Sequence, residues 1–302
     1  MNAVSVKNIS KKYGQIEALN NISFEVERGE IYGIIGPDGA GKTSLFRILT
    51  SLLLADNGTA FVDGLNVVKD YKKVRNIIGY MPGKFSLYQD LSVEENLEFF
   101  ATVFNTSIRE NYDLIKDIYQ QIEPFKDRRA GKLSGGMKQK LALCCALIHK
   151  PSVLFLDEPT TGVDPVSRKE FWEMLRKLKL QNITILVSTP YMDEASLCDR
   201  IALIRNGEFL QIESPKNIIG QFTEILWSVQ SDKMYKLLLD LRFNNNVKSC
   251  FTFGETHHIT IKDGLTREEL NSYLQQKGHT GIVIKVIKPT IEDCYMQLSQ
   301  TN

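Results

Sequence analysis

A mainly parallel α/β domain with an antiparallel β region and a helical region, followed by a small α+β module, is the fold class this sequence predicts. Three observations predict it. Short apolar runs at 31–35, 153–156 and 183–188 alternate with helical patterns, which calls for a mostly parallel sheet covered on both faces. The opening residues 3–30 instead alternate apolar and polar side chains, as antiparallel strands with one wet face do. Around Ser214-Pro215 the character of the chain shifts, and a second set of strands and helices begins. We therefore divide the chain into residues 1–215 and 216–302.

Taken in order, residues 3–30 read as paired strands turning near Gly14. The apolar run Ile31-Tyr32-Gly33-Ile34-Ile35 reads as a buried strand and Ser44 to Leu49 as a helix. Asp56-Asn57-Gly58 is a turn signal, after which Thr59 to Val62 returns as a strand. A β run over Ile77–Met81 ends at Pro82-Gly83. From Ser92 to about Phe125 the pattern is helical, and Ser92-Val93-Glu94-Glu95 spells a capping box at its start. Another helix runs from Gly136 to His149, and Val153–Leu156 reads as a fully buried strand ending in Asp157-Glu158. A helix over Phe171–Leu180 and a buried strand over Ile183–Ser188 follow. Asp199–Ile204 and Glu208–Ile212 form a hairpin around Asn206-Gly207. In the second part the order is strand Ile225–Val229, helix Met234–Leu241 and two strands across Phe251 and His258–Ile261. Helix Arg267–Gln276, strand Ile282–Val286 and a helix after Pro289 complete it. This β-α-β-β-α-β order predicts a ferredoxin-like module, and it carries no catalytic motif.

Bulk properties narrow the function classes. The 302 residues, 43% hydrophobic and 24% charged, are those of a globular protein that buries a full core. A net charge of +1, from 37 basic and 36 acidic residues, gives no electrostatic argument for nucleic acid or an anionic membrane surface. No apolar run is long enough to span a bilayer, and the N-terminus does not read as a signal peptide. The five cysteines are scattered without metal-ligand spacing, which fits a reducing compartment; Cys144 and Cys145 sit in an apolar helical pattern and read as packing. His257-His258 reads as solvated surface on a strand.

Three motifs carry chemistry. The first is Gly36-Pro37-Asp38-Gly39-Ala40-Gly41-Lys42-Thr43, with Ser44 next, set between strand and helix. Glycines let successive N–H groups turn inward, and the helix adds its positive N-terminal end, so the stretch predicts a cradle for a nucleoside triphosphate. Lys42 then reaches the β- and γ-phosphates, and the Thr43 hydroxyl ligates Mg²⁺. The second is Asp157-Glu158 at the C-terminal end of a buried strand, the edge where such sheets bind ligands. Asp157 is placed to hold Mg²⁺ and Glu158 to orient or deprotonate the attacking water. The third is Leu133-Ser134-Gly135-Gly136-Met137-Lys138-Gln139-Lys140, where Ser134 can cap a helix whose first N–H groups the glycines leave open to an anion.

A phosphate loop, then Leu-Ser-Gly-Gly, then an acidic strand end closely resembles the ATP-binding cassette (ABC) family over roughly residues 3–213. The resemblance implies ATP and Mg²⁺ as cofactors and an ATPase with Lys42 and Glu158 as catalytic residues. It implies that Tyr13 stacks on adenine and that Gly162-Val163-Asp164 is a dimer-contacting loop. It also implies two facing cassettes, alike or different, with Ser134, Gly135 and Gly136 touching the partner's ATP. The segments 79–97, 188–195 and 288–295 look like the drug and multidrug exporter branch. From that branch follow separate polytopic membrane permease subunits and a location at the cytoplasmic face of the cell membrane. A cassette protein acting on ribosomes or DNA would carry tandem cassettes or a long coiled-coil insertion; this sequence shows neither and lacks a basic signal, so no nucleic-acid partner is expected. Lys84 to Asp90 and the helix from Ser92 are the expected docking groove, with Phe85 and Tyr88 as exposed aromatics.

Two departures stand out. Gly83 occupies the place of the family's Mg²⁺-sensing glutamine, with Gln89 six residues on as a substitute only if the loop refolds. Pro190 occupies the place of its γ-phosphate histidine. They imply a site that binds ATP and hydrolyses it slowly, completing a better site on a partner cassette. The alternatives are a homodimer in which Thr189, Tyr191 or a water supplies the missing donor, and a regulatory ATP switch.

Overall fold

The computed structural model describes residues 2–301 and divides into two compact units, Met1–Pro215 and Lys216–Asn302. In the first, β1 (Val4–Tyr13) and β2 (Ile16–Val26) form the expected antiparallel pair, and β3 (Ile31–Ile35), buried throughout, feeds α1 (Lys42–Leu49). β4 (Asn57–Val62) and β5 (Leu65–Asn66) complete a sheet of order β2-β1-β4-β5. The reading of Asp56-Asn57-Gly58 as a turn is corrected here. Asn57 and Gly58 open β4, where the register against β1 slips between Lys7 and Ser10. Gly58 has φ +87, and a Cβ there would stand 2.3 Å from the Asn8 carbonyl oxygen. The bulge itself is on β1, where Asn8 and Ile9 stand opposite Gly58 alone. Glycine suits the close approach and positive φ of position 58 for the reason it suits a turn.

α2 (Tyr71–Ile77), not foreseen in the sequence, leads into β6 (Ile78–Met81). The single helical stretch expected from Ser92 to Phe125 is two helices, α3 (Val93–Val103) and α4 (Tyr112–Tyr119). The chain turns between them with Asn105 in the left-handed region at φ +54. The capping box is present: Ser92 Oγ accepts from the Glu95 amide at 3.2 Å, and Glu95 Oε2 accepts from the Ser92 amide at 2.7 Å. Behind it the buried Asn96 donates to the carbonyls of Tyr88 and Ser92 and accepts the Tyr88 amide, which fixes the approach to α3.

α5 (Gly135–Leu147) buries Cys144 and Cys145, and burial pushes both thiols up, so they are packing groups. β7 (Val153–Asp157) and α6 (Pro165–Leu180) follow. The latter starts well before the expected Phe171, because Asp164 accepts the Val166 and Ser167 amides and Pro165 takes the first helical position. β8 (Thr184–Thr189), β9 (Arg200–Arg205) and β10 (Glu208–Glu213) finish a sheet of order β10-β9-β3-β8-β7-β6. It is parallel apart from the β9–β10 hairpin. Phe46 of α1 meets Phe155 of β7 edge-on at 5.8 Å, a contact worth about 0.5–1.5 kcal/mol beyond its burial. That contact fixes α1, and with it the loop at its start, against the strand that ends in Asp157.

The second unit begins with α7 (Pro215–Gly220), which bridges the division, and continues through β11 (Leu226–Gln230), α8 (Met234–Arg242) and β12 (Val247–Phe253). β13 (Thr256–Ile261), α9 (Arg267–Gln276), β14 (Val283–Val286) and α10 (Ile291–Thr301) follow. Its antiparallel sheet has the order β12-β13-β11-β14, over a core that includes Trp227, Leu237, Ile259 and Leu270. The reading of His257-His258 as solvated surface is also corrected. His257 is 2% exposed and its Nε2 bonds the Met234 carbonyl at 2.8 Å, while His258 Nδ1 meets Asp293 Oδ1 at 2.7 Å.

That last contact has a pH consequence. Burial works against the Asp293 carboxylate, but His258 and the hydroxyl and amide of Thr290 together hold its carboxyl below the usual range. A depressed carboxyl stabilises the folded unit above its unfolded pKa of about 3.9 and loses that contribution as pH falls through the folded value. Asp293→Asn is therefore expected to weaken the second unit by about 1–3 kcal/mol at pH 7. The gap to wild type should shrink below about pH 4. Trp227 fluorescence in a Trp172→Phe background reports this unit, since the chain has only 2 tryptophans. A constant gap across that range refutes the assignment.

Candidate functional site

β8 lies between β3 and β7, with Ile35 opposite Thr189 and Asp157 opposite Ser188. Three strand ends therefore sit side by side at the C-terminal edge of the sheet. The segment Gly36–Gly41 leaves β3 there and enters α1. Gly41 is the residue before the helix, at φ +105, and a Cβ on it would stand 2.3 Å from the Ala18 carbonyl oxygen. Only glycine suits that position. No side chain caps α1, so its first N–H groups face the loop.

Lys42, 3% exposed, folds its ammonium back along the loop. It donates to the carbonyls of Gly36 at 2.8 Å and Pro37 at 2.9 Å, and stands 3.1 Å from Glu158 Oε1 and 4.0 Å from Asp38 Oδ1. Glu158 has the left-handed φ of +51, a strained position for a residue with a side chain, and its amide donates to both the carbonyl and hydroxyl of Ser188. Asp157 is buried and accepts the Ser188 hydroxyl at 2.6 Å. Burial first, and then the charge of Asp157, pushes the neighbouring Tyr80 phenol up to about 12. The structure thus brings together Lys42, Asp157 and Glu158, with Thr43 on the first turn of α1.

These residues fit a nucleoside triphosphate with Mg²⁺. The cradle excludes a Cβ at Gly41, the helix start is open, and one buried cation lies beside two carboxylates. Thr43 and Asp157 offer the hard oxygen donors that Mg²⁺ takes. Among the described residues no group of three His, Cys, Asp or Glu could hold a metal. Tyr13, 45% exposed at the end of β1, places its hydroxyl 3.3 Å from Ser44 Oγ and so stands beside the same helix start.

Elsewhere, Ser134 Oγ accepts the Met137 amide at 3.3 Å, and Ser134 and Gly135 are exposed. A Cβ on Gly136 would lie 2.7 Å from Ser167 Oγ, so this helix start packs against the start of α6. Asp164 is occupied in capping α6, with its carboxyl held below the usual range chiefly by the Ser167 amide. Gly83 does lie at the acidic edge: a Cβ there would be 3.0 Å from the Asp157 carbonyl oxygen. Gln89 is tied through its carbonyl to the Gly131 amide, and Phe85 is half-buried with Lys138 Nζ 5.4 Å from its ring centroid. Tyr88 is exposed and meets Phe99 edge-on at 4.9 Å.

Several residues that shape the site were missed in the sequence. Ser188 donates to Asp157, and Thr160 and the buried Glu194 join Thr189, which the sequence offers only as a substitute donor, in a second bonded set. Thr189 Oγ1 donates to Glu194 Oε2 at 2.6 Å and accepts the Tyr191 amide at 3.1 Å. The hydroxyls at the end of β8, directly before Pro190, were the available signal. An apolar groove of about 460 Å³ also opens between the sheet and the helical region, lined by Leu52, Met81, Phe100, Val103, Phe104 and His149 among others.

A family model described as ABC transporter matches residues 19–161. The probable multidrug ABC transporter ATP-binding protein YbhF of Escherichia coli (strain K12) is 39% identical over 220 residues, covering 72% of this chain and 38% of that protein. The chain thus spans well under half the length of that relative. The Nod factor export ATP-binding protein I of Rhizobium sp. (strain N33) is 38% identical over 302 residues, covering 98% of this chain and 97% of that one. Among solved structures, a dimeric post-hydrolysis state of the ATP-binding cassette MJ0796 bound to ADP and Pi has a TM-score of 0.63 at 27% identity, covering 70% of this chain and 98% of the other.

Proposed function

The chain belongs to the ABC transporter family, and from that premise we propose that it is the ATP-hydrolysing subunit of an exporter. Two cassettes closing on ATP would drive efflux through separate polytopic membrane permease subunits, from the cytoplasmic face of the cell membrane. The observation that carries this reading is the meeting of Lys42, Asp157 and Glu158 at one sheet edge, with Lys42 Nζ 3.1 Å from Glu158. Lys42 neutralises the terminal phosphates, and the loop amides and α1 start orient them. Thr43 and Asp157 would hold Mg²⁺, which would supply charge neutralisation to the phosphates. Glu158 accepts the proton of the attacking water, in a left-handed backbone position that aims it at the cradle. The exposed Ser134 and Gly135 are the face offered to the partner's nucleotide.

Glu158→Gln is expected to lower turnover about 100-fold while leaving ATP affinity unchanged, with an ATP-dependent dimer that persists in light scattering. Turnover at the wild-type rate removes Glu158 as the base.

No described helix is long and apolar enough to cross a membrane. The groove beside Val103 and Phe104 supplies the seat for a helix of a permease subunit. Val103→Glu is expected to keep nucleotide binding and to release the protein from membranes that retain the wild type. Equal retention withdraws the groove from this role.

A second reading is favoured by Gly83 and Pro190, which offer no side-chain donor. Of the substitutes considered for the histidine, the Thr189 hydroxyl is already engaged, donating to Glu194. On this reading the chain's own site turns over slowly and serves as a switch beside a more active cassette.

A further inference from the structure

Glu194 is 1% exposed and lies outside the phosphate loop, the Leu-Ser-Gly-Gly stretch and the acidic end of β7. Its Oε1 accepts the Thr160 hydroxyl at 2.7 Å and its Oε2 the Thr189 hydroxyl at 2.6 Å. Arg168 Nε stands 3.8 Å from Oε1, an ion-pair distance without hydrogen-bond geometry. The guanidinium of Arg168 also covers the Tyr191 ring at 4.4 Å and reaches Asp193 at 3.5 Å.

Each partner belongs to a different part of the site. Thr160 follows the base Glu158 by two residues, and its carbonyl accepts the Val163 amide in the loop that ends at Asp164. Thr189 ends β8 immediately before Pro190, and its carbonyl accepts the amide of Gly36, the first residue of the phosphate loop. A buried carboxylate with two hydroxyl donors and one cation is satisfied only while all of them stay in place. Losing one arm leaves the others with a buried, partly unpaired charge.

We propose that Glu194 is a positioning residue that locks the loop 160–164 to the segment 189–191, so that the partner-facing loop and the γ-phosphate face move as one piece. The bond set gives the lock its direction. Both oxygens accept, so a glutamine keeps one acceptor and loses the charge that faces Arg168. It meets the second hydroxyl only with an NH2 that donates, which forces that hydroxyl to turn its own proton elsewhere. The proposal rests on the ATPase reading for its consequence in turnover, but the lock itself is testable without it.

The test uses the full chain with Glu194→Gln, Thr160→Val and the conservative Thr160→Ser. Hydrogen exchange of the Val163 and Tyr191 amides, whose acceptors are Thr160 and Thr189, reads the lock directly. In Glu194→Gln both amides are expected to exchange at least about tenfold faster, with β7 and α1 unchanged. Thr160→Val should loosen Tyr191 as well as Val163, and Thr160→Ser should restore both. In turnover, the kcat of Glu194→Gln should fall about tenfold with KM for ATP within about twofold. If Thr160→Val loosens only its own loop, the coupling is refuted, whatever the ATPase rate. If Glu194→Gln does not fold, the two Thr160 variants decide the proposal alone. Failure of the ATPase reading shows separately, as a wild-type chain that neither turns over nor dimerises with ATP.

Discussion

Lys42→Ala is expected to lower ATP affinity by about 100-fold or more and to abolish measurable turnover. The magnitude follows from what the ammonium does. Its donors now satisfy the carbonyls of Gly36 and Pro37 and the carboxylate of Glu158, all within 3.1 Å. Charged hydrogen bonds to two phosphate groups contribute about 1.5–3 kcal/mol each, or roughly 10²- to 10⁴-fold in binding. The backbone of the loop should survive the change, because Gly41 and the Phe46–Phe155 contact fix it independently of the lysine. Circular dichroism should therefore remain that of the wild type while titration with a fluorescent ATP analogue shows the loss. Lys42→Arg keeps the charge but brings a wider, forked group into a position that is 3% exposed, and it should rescue little. A Lys42→Ala protein that binds the analogue with full affinity, and dimerises as before, removes the phosphate cradle from the argument.

The contrast between legible and illegible parts of this chain has a physical pattern. The apolar strands β3, β7 and β8 could be read because burial on both faces leaves an uninterrupted hydrophobic run. The phosphate loop could be read because its glycines answer to a backbone requirement that no other residue meets. The capping box at Ser92 could be read because both partners lie within four residues. What escaped depends on partners far apart in sequence. Asn57-Gly58 looks the same whether the strand beside it turns or bulges, and only the carbonyl of Asn8 decides. His257 looked wet on a polar strand, but its bond to Met234 on α8 fixes it inside. Glu194 reads as one acid among several in a short acidic segment. Its role comes from Thr160 and Thr189, which the parallel pairing of β7 and β8 brings to one place.

Pro190→His is expected to raise turnover by on the order of 100-fold, the effect of restoring one preorganised donor to a transition-state anion. The position is prepared for it. Thr189 on one side is anchored to Glu194, and Tyr191 on the other is covered by Arg168, so residue 190 is held between two fixed neighbours at the end of β8. A histidine there gains a ring N–H and a backbone amide that proline lacks. Gly83→Gln is a harder restoration. Its Cβ would meet the Asp157 carbonyl oxygen at 3.0 Å, so the loop must give by a few tenths of an ångström before the amide can reach the metal side of the site. The double variant should therefore add less than the sum of its parts. Because Glu158 is in place, the gain must vanish when Glu158→Gln is added to Pro190→His, which separates restored chemistry from a contaminating ATPase. If Pro190→His leaves the rate unchanged, and the wild type already turns over as fast as cassettes that carry the histidine, then the donor is supplied elsewhere. The slow-site reading, and with it the need for a more active partner cassette, is then wrong.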